Sequence, residues 1–139
     1  MKSKLHQELQ NKAIGYLHDK NYWITRQEVP VSTSICDVWG ITSASGNYAT
    51  IAIEVKISRS DYRTNKYKEL SSAMANRHYI FCPSGLISPD EIDSRWGLLW
   101  WNGNRIINKK QAQFLAMSDK DKLLILMAFL SSKLNKNKP

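Results

Sequence analysis

A chain of 139 residues with 42% apolar and 23% charged residues is long enough to bury about two-thirds of its surface on folding, and too apolar for a disordered or fibrous protein. Twenty Lys and Arg against twelve Asp and Glu leave a net charge of +8, a balance that suits phosphate-bearing partners and says nothing of fold. The longest apolar run, Leu123 to Leu130, is eight residues, far short of a bilayer span.

No hydrophobic stretch follows the basic N-terminus, so no signal peptide is expected and the chain reads as soluble and cytoplasmic. From Lys4 to about Lys20, Leu5, Leu9, Ala13, Tyr16 and Leu17 recur at helical spacing. Tyr22 to Val29 reads as a strand closed by Pro30, and Ser34 to Thr42 as a second. Ser43-Ala-Ser-Gly-Asn47 has the composition of a turn. Tyr48 to Ile57, beyond it, completes an antiparallel hairpin. Ser58 is placed to cap a helix running to about Ala75, with Asp61 at the box position. Arg77 to Cys82 and Gly97 to Trp101 read as short strands, and Asn102-Gly103 turns the chain into another over Arg105 to Asn108. Ser118 caps a last helix reaching about Leu134, and 135–139 is a basic polar tail. The expectation is one α/β domain over 1–134, with a mixed sheet flanked by helices.

The side residues narrow the chemistry. Cys36 and Cys82 form no CxxC and are expected as buried thiols. His6, His18 and His78 make no spaced cluster, so no histidine metal site is expected. Trp96, Trp100 and Trp101 read as core-packing or subunit-interface residues, with base stacking as the alternative. The last helix is apolar nearly all round, from Leu123 to Leu130, which predicts burial on two sides and points to a homodimer.

On the strand Tyr48–Ile57, side chains alternate between faces. Ile51, Ile53, Val55 and Ile57 share one; Thr50, Ala52, Glu54 and Lys56 share the other. A carboxylate and an ammonium at the end of a buried-looking strand are costly unless solvated, paired or functional. The hairpin spacing sets Asp37 opposite about residues 53 to 55, within reach of Glu54. Two carboxylates with a backbone carbonyl suit a hard cation such as Mg²⁺. A lysine beside them suits an attacking water or the charge that develops on phosphorus.

Asp37, Glu54-Val55-Lys56 and the helix start that follows resemble the signature of the PD-(D/E)xK nuclease superfamily. The stretch Ile53-Glu-Val-Lys-Ile-Ser-Arg-Ser-Asp-Tyr-Arg63 is similar to its MmcB-like branch, small bacterial and phage proteins linked to DNA repair. The similarity extends through Arg77-His-Tyr-Ile-Phe-Cys-Pro83, Gly85-Leu-Ile87 and Gly97-Leu-Leu99. It implies a restriction-endonuclease-like αβββαβ core with an extra C-terminal helix, and an Mg²⁺- or Mn²⁺-dependent endonuclease acting on DNA in a bacterial cell or phage-infected host. Asp37 and Glu54 would hold the metal with the Val55 carbonyl, Lys56 would assist the water, and Glu8 on the first helix would add an acidic ligand. Arg59, Arg63, Lys66 and Lys68, on the helix after Ser58, would grip the DNA backbone. Cys36 stands where the superfamily often carries Pro, and the helical Gln-and-Tyr motif of the RecB-type branch is absent. The alternative expectation is a non-catalytic DNA-binding or assembly module that keeps the nuclease fold.

Overall fold

The computed structural model describes residues 3–31, 34–42, 48–63 and 75–136. Helix α1 (Lys4–Asp19) begins at Ser3, whose Oγ accepts from the His6 amide at 3.1 Å, the usual way to satisfy a free helix-end donor. Its buried stripe is His6, Leu9, Gln10, Ala13 and Leu17. It stops where Asn21 turns left-handed, at φ 69°, a conformation asparagine tolerates well.

Six strands follow in one sheet whose spatial order is the chain order. Strands β1 (Ile24–Val31), β2 (Ser34–Thr42) and β3 (Ala49–Val55) are antiparallel neighbours. Strand β4 (Arg77–Pro83) lies parallel to β3, and β5 (Gly97–Trp101) parallel to β4; β6 (Ile106–Lys110) returns antiparallel. A parallel neighbour needs a crossover, and the one between β3 and β4 starts with helical residues 59–63. The fold is therefore α/β, a mixed six-stranded sheet flanked by helices, as the chain's alternation of elements predicts.

Burial follows the alternation along β3. Ile51, Ile53 and Val55 pack with Val38 against Leu9, Ala13 and Leu17 of α1. Ala52 faces the other way, with Val29, Cys36 and Trp39, and is covered by Ile125 and Phe129 of the last helix, α2 (Asp119–Lys136). The Trp39 and Phe129 rings meet at 4.9 Å between centroids, within the range for favourable aromatic pairs. Under β4 and β5, Tyr62, Ile80, Ile87, Trp96 and Leu98 form a third cluster.

Both expected caps form: Ser58 Oγ accepts from the Asp61 amide and Ser118 Oγ from the Asp121 amide, each at 3.1 Å. Both cysteines are buried. Other boundaries shift for physical reasons. Pro30 lies inside β1, opposite Ile35, because β1 is an edge strand with a side that needs no donor. Strand β6 begins later than expected because Asn102 Oδ1 accepts from the Asn104 and Arg105 amides, which lengthens the turn. Helix α2 buries a single stripe: Leu123, Leu124, Leu126, Met127 and Leu130 stay exposed within the chain. The turn at 43–47 and the rest of the helix expected to reach Ala75 lie outside the described residues.

Candidate active site at the parting of two strands

The β2–β3 ladder runs from Thr42 opposite Ala49 to Val38 opposite Ile53, the register the hairpin spacing predicts, and stops there. Beyond it, the Val55 N–H donates to a side chain, Asp37 Oδ2, at 2.8 Å. The register on the other side of β2 is interrupted at the same residue. The β1–β2 pairing skips from Gln27–Val38 to Val29–Cys36, and the intervening Glu28 adopts a left-handed φ of 54°, uncommon for a residue with a side chain. Asp37 thus sits where the pairing lapses on both sides of β2.

Helix α1 fills the gap. Gln10 Nε2 donates to the Asp37 backbone carbonyl at 3.1 Å, and His6 Nε2 lies 3.5 Å from Asp37 Oδ2. His6 and Gln10 are four residues apart, neighbours on one helix face. Both belong to the buried stripe, so α1 holds Asp37 by backbone and carboxylate together.

Glu54 and Lys56 flank Val55 at the C-terminal end of β3. Glu54 is in register with Ile80 and Val55 with Phe81, and the Lys56 amide donates to the Phe81 carbonyl at 2.9 Å. The tip of β3 is therefore held by β4 where β2 has released it. Asp37, Glu54 and Lys56 are only 5%, 7% and 4% exposed, a burial such residues almost never show without partners. Burial first, then the negative charge of Glu54 and of Asp37, pushes the Cys36 thiol well above its usual range. Cys36 is an inert neutral neighbour of the two carboxylates.

The structure thus brings Asp37, Glu54, Val55 and Lys56 together. It does not bring Glu8: that residue is exposed, because two positions along a helix from His6 is about 200° around the axis. Where the resemblance implies an acidic residue on the first helix, α1 presents His6 and Gln10. Arg59 is committed locally, with Nη1 on the Leu86 carbonyl at 3.0 Å and on Glu91 Oε1 at 2.6 Å. Glu91 is in turn held below the usual carboxylate range by the Ser88 amide and Arg59. Arg63 is exposed; Lys66 and Lys68 lie outside the described residues. His6 and Gln10 have one sequence signal, two polar residues at positions i and i+4 that share the spacing of Leu9, Ala13 and Leu17.

The Asp37 and Glu54 carboxylates and the Val55 carbonyl offer oxygen donors only, a chemistry that suits Mg²⁺ or Mn²⁺ rather than zinc. A carboxylate has about four lone-pair sites, so the contacts to Asp37 Oδ2 are compatible with a cation on the same group. Among the described residues, no cluster of three or more His, Cys, Asp or Glu stands at metal-binding spacing.

No family model matches the chain, and no curated protein does. Among solved structures, it matches a protein of unknown function from Silicibacter pomeroyi with a TM-score of 0.77, at 17% identity, over 98% of this chain and 90% of that one. Likeness at that identity establishes the shared α/β fold, and function has to be argued from the site. No helix among the described residues is long and apolar enough to cross a membrane.

Proposed function

We propose that the chain is a divalent-metal-dependent deoxyribonuclease that hydrolyses phosphodiester bonds in DNA repair, recombination or phage DNA metabolism. The observation that carries the reading is the convergence of Asp37, Glu54 and Lys56, all buried, where β2 parts from β3. Buried charges are retained where they are paired or used, and this set has the donors for a hard cation and an ammonium beside them.

In this reading Asp37, Glu54 and the Val55 carbonyl hold Mg²⁺ or Mn²⁺. The cation, when bound, supplies Lewis-acid stabilisation of the phosphoryl oxygens and a more acidic water. Lys56 orients the attacking water and offsets negative charge at phosphorus. His6 and Gln10 are positioning residues: they fix Asp37 and do not touch the substrate. The exposed Arg63 and the net positive charge of the chain draw the DNA backbone to the site without reading sequence.

The test is cleavage of labelled duplex, single-stranded, flap and four-way-junction DNA with Mg²⁺, Mn²⁺, Ca²⁺ or EDTA, beside Asp37→Ala and Lys56→Ala proteins. Metal-dependent cutting by the parent, lost in both variants, is the expected result. No cutting, with salt-sensitive DNA binding that survives both substitutions, replaces the reading with that of a binding module.

A further inference from the structure

At the opposite end of β3 and β4 from Glu54 lies a pocket of about 270 Å³, between the C-terminal turn of α1 and the start of the parallel strand pair. Ile51, in its wall, is three residues from Glu54, about 10 Å along the strand. Its walls carry Tyr16, Tyr22 and Tyr79, the cations Lys20 and Arg77, and the amide of Asn108; no carboxylate lines it.

Arg77 is the anomaly. Its Nε is buried and has no hydrogen-bond acceptor. The guanidinium lies over the Phe114 ring, 5.1 Å from the centroid, and no carboxylate pairs with it among the described residues. Arg77 is half-buried and hydrogen-bonds Tyr22, and its one buried, unbonded nitrogen gains a partner once an anion arrives. Lys20, whose Nζ stands 5.5 Å from the Tyr16 ring centroid, adds a second positive charge at the rim.

The rest of the lining favours a ligand with a flat ring. Tyr16 and Tyr22 are half-buried and Tyr79 is buried, and all three line the pocket. Burial raises the Tyr16 and Tyr22 hydroxyls above their ordinary pKa, against the Asn108 hydrogen bond in one and the Arg77 charge in the other. Both therefore stay protonated and able to donate to an anion at neutral pH. The volume holds about nine waters, the scale of one nucleotide and below that of drug-sized sites.

We infer that this pocket binds a single nucleotide, its phosphate on Arg77 and Lys20 and its base against the tyrosine rings. The inference does not rest on the nuclease reading, since no residue is shared with the Asp37 site. The nucleotide is either free or part of a single strand; both have the chemistry that the pocket recognises.

Calorimetric titration of the 139-residue chain with a nucleoside 5′-monophosphate, its nucleoside, inorganic phosphate and a single-stranded oligonucleotide tests it. The monophosphate or the oligonucleotide binds, the nucleoside and phosphate bind at least about tenfold more weakly, and Arg77→Gln weakens binding about tenfold or more. Arg77→Lys restores part of the loss. Lys20→Ala, an exposed change that leaves packing intact, weakens binding by a smaller factor. Preference for the oligonucleotide identifies a strand as the source, and preference for the monophosphate a free ligand. Three results overturn the inference: no binding of either nucleotide form, phosphate binding as tightly as the monophosphate, or unchanged affinity in both Arg77→Gln and Lys20→Ala.

Discussion

His78 shows how a single buried side chain sets a pH limit. It is 3% exposed, its ring lies 4.9 Å from that of Trp96, and its Nε2 accepts from the Ala75 amide at 3.0 Å. Burial, then the Arg95 charge, lowers its pKa from 6.5 to about 4. The folded chain thus refuses a proton that the unfolded chain binds, so stability is complete above the unfolded pKa and lost as pH falls toward 4. A shift of that size corresponds to about 3 kcal/mol. Denaturant melts from pH 7.5 to 4.5 should show the decline, and His78→Gln, which keeps an acceptor and does not titrate, should flatten it; an unchanged slope sinks the assignment. Asp37 separates stability from chemistry in the same way. Asp37→Ala orphans the buried Val55 N–H and costs about 1–3 kcal/mol, whereas Asp37→Asn keeps an oxygen acceptor, loses less stability and still abolishes metal-dependent cutting. Equal activity in Asp37→Asn and the parent would remove Asp37 from the proposed mechanism. The Glu54-Val55-Lys56 triplet and Asp37 were legible in sequence because strand alternation and hairpin spacing are short-range rules. His6 was not, because its partner is 31 positions away in the chain and only the packing of α1 on the sheet joins them.

At the scale of elements, one close approach ties β4 to β5. A Cβ on Gly97 would come within 2.3 Å of Tyr79 Cε1 and 2.7 Å of the Ala112 amide nitrogen. Both neighbours are fixed: Gly97 is the register partner of Tyr79, and the Tyr79 hydroxyl accepts from the Ala112 amide at 3.3 Å. Gly97→Ala must therefore push the strands apart or turn a buried ring, at a cost of about 1–3 kcal/mol or more. A denaturation midpoint equal to the parent's would contradict that packing. Strand positions, both caps and the β2–β3 register were readable from alternation and turn residues. The inclusion of Pro30 in β1 was not, since a proline's tolerance depends on which strand ends up at the edge. Nor was the lapse of pairing around Asp37, for which the sequence carries no glycine or turn signal.

For the whole molecule, the aliphatic face of α2 is an exposed apolar surface that calls for a cover. Leu123, Leu124, Leu126, Met127 and Leu130 are each between 45% and 59% exposed. They adjoin an apolar groove of about 590 Å³ lined by Trp39, Phe114, Met117 and Leu126. Monomers rarely leave such a contiguous patch open, so the expected state in solution is a pair of chains joined through α2. Light scattering behind size exclusion should give twice the chain mass, and Leu123→Lys with Met127→Lys should return it to one. A parent that stays at the single-chain mass at high concentration excludes the pairing.

The placement of α2 has a further consequence. This last helix packs on β1, the first strand, and covers Val29, Cys36 and Trp39. The sheet is laid down in chain order, so each strand emerging from a ribosome meets a neighbour already made. The face under α2, in contrast, stays bare until residues 119–136 have been made. Burial of that half therefore waits on the helix and lags behind assembly of the sheet. A message truncated before residue 119 would yield a sheet with an open greasy side, a client for chaperones and proteases rather than a shorter working protein.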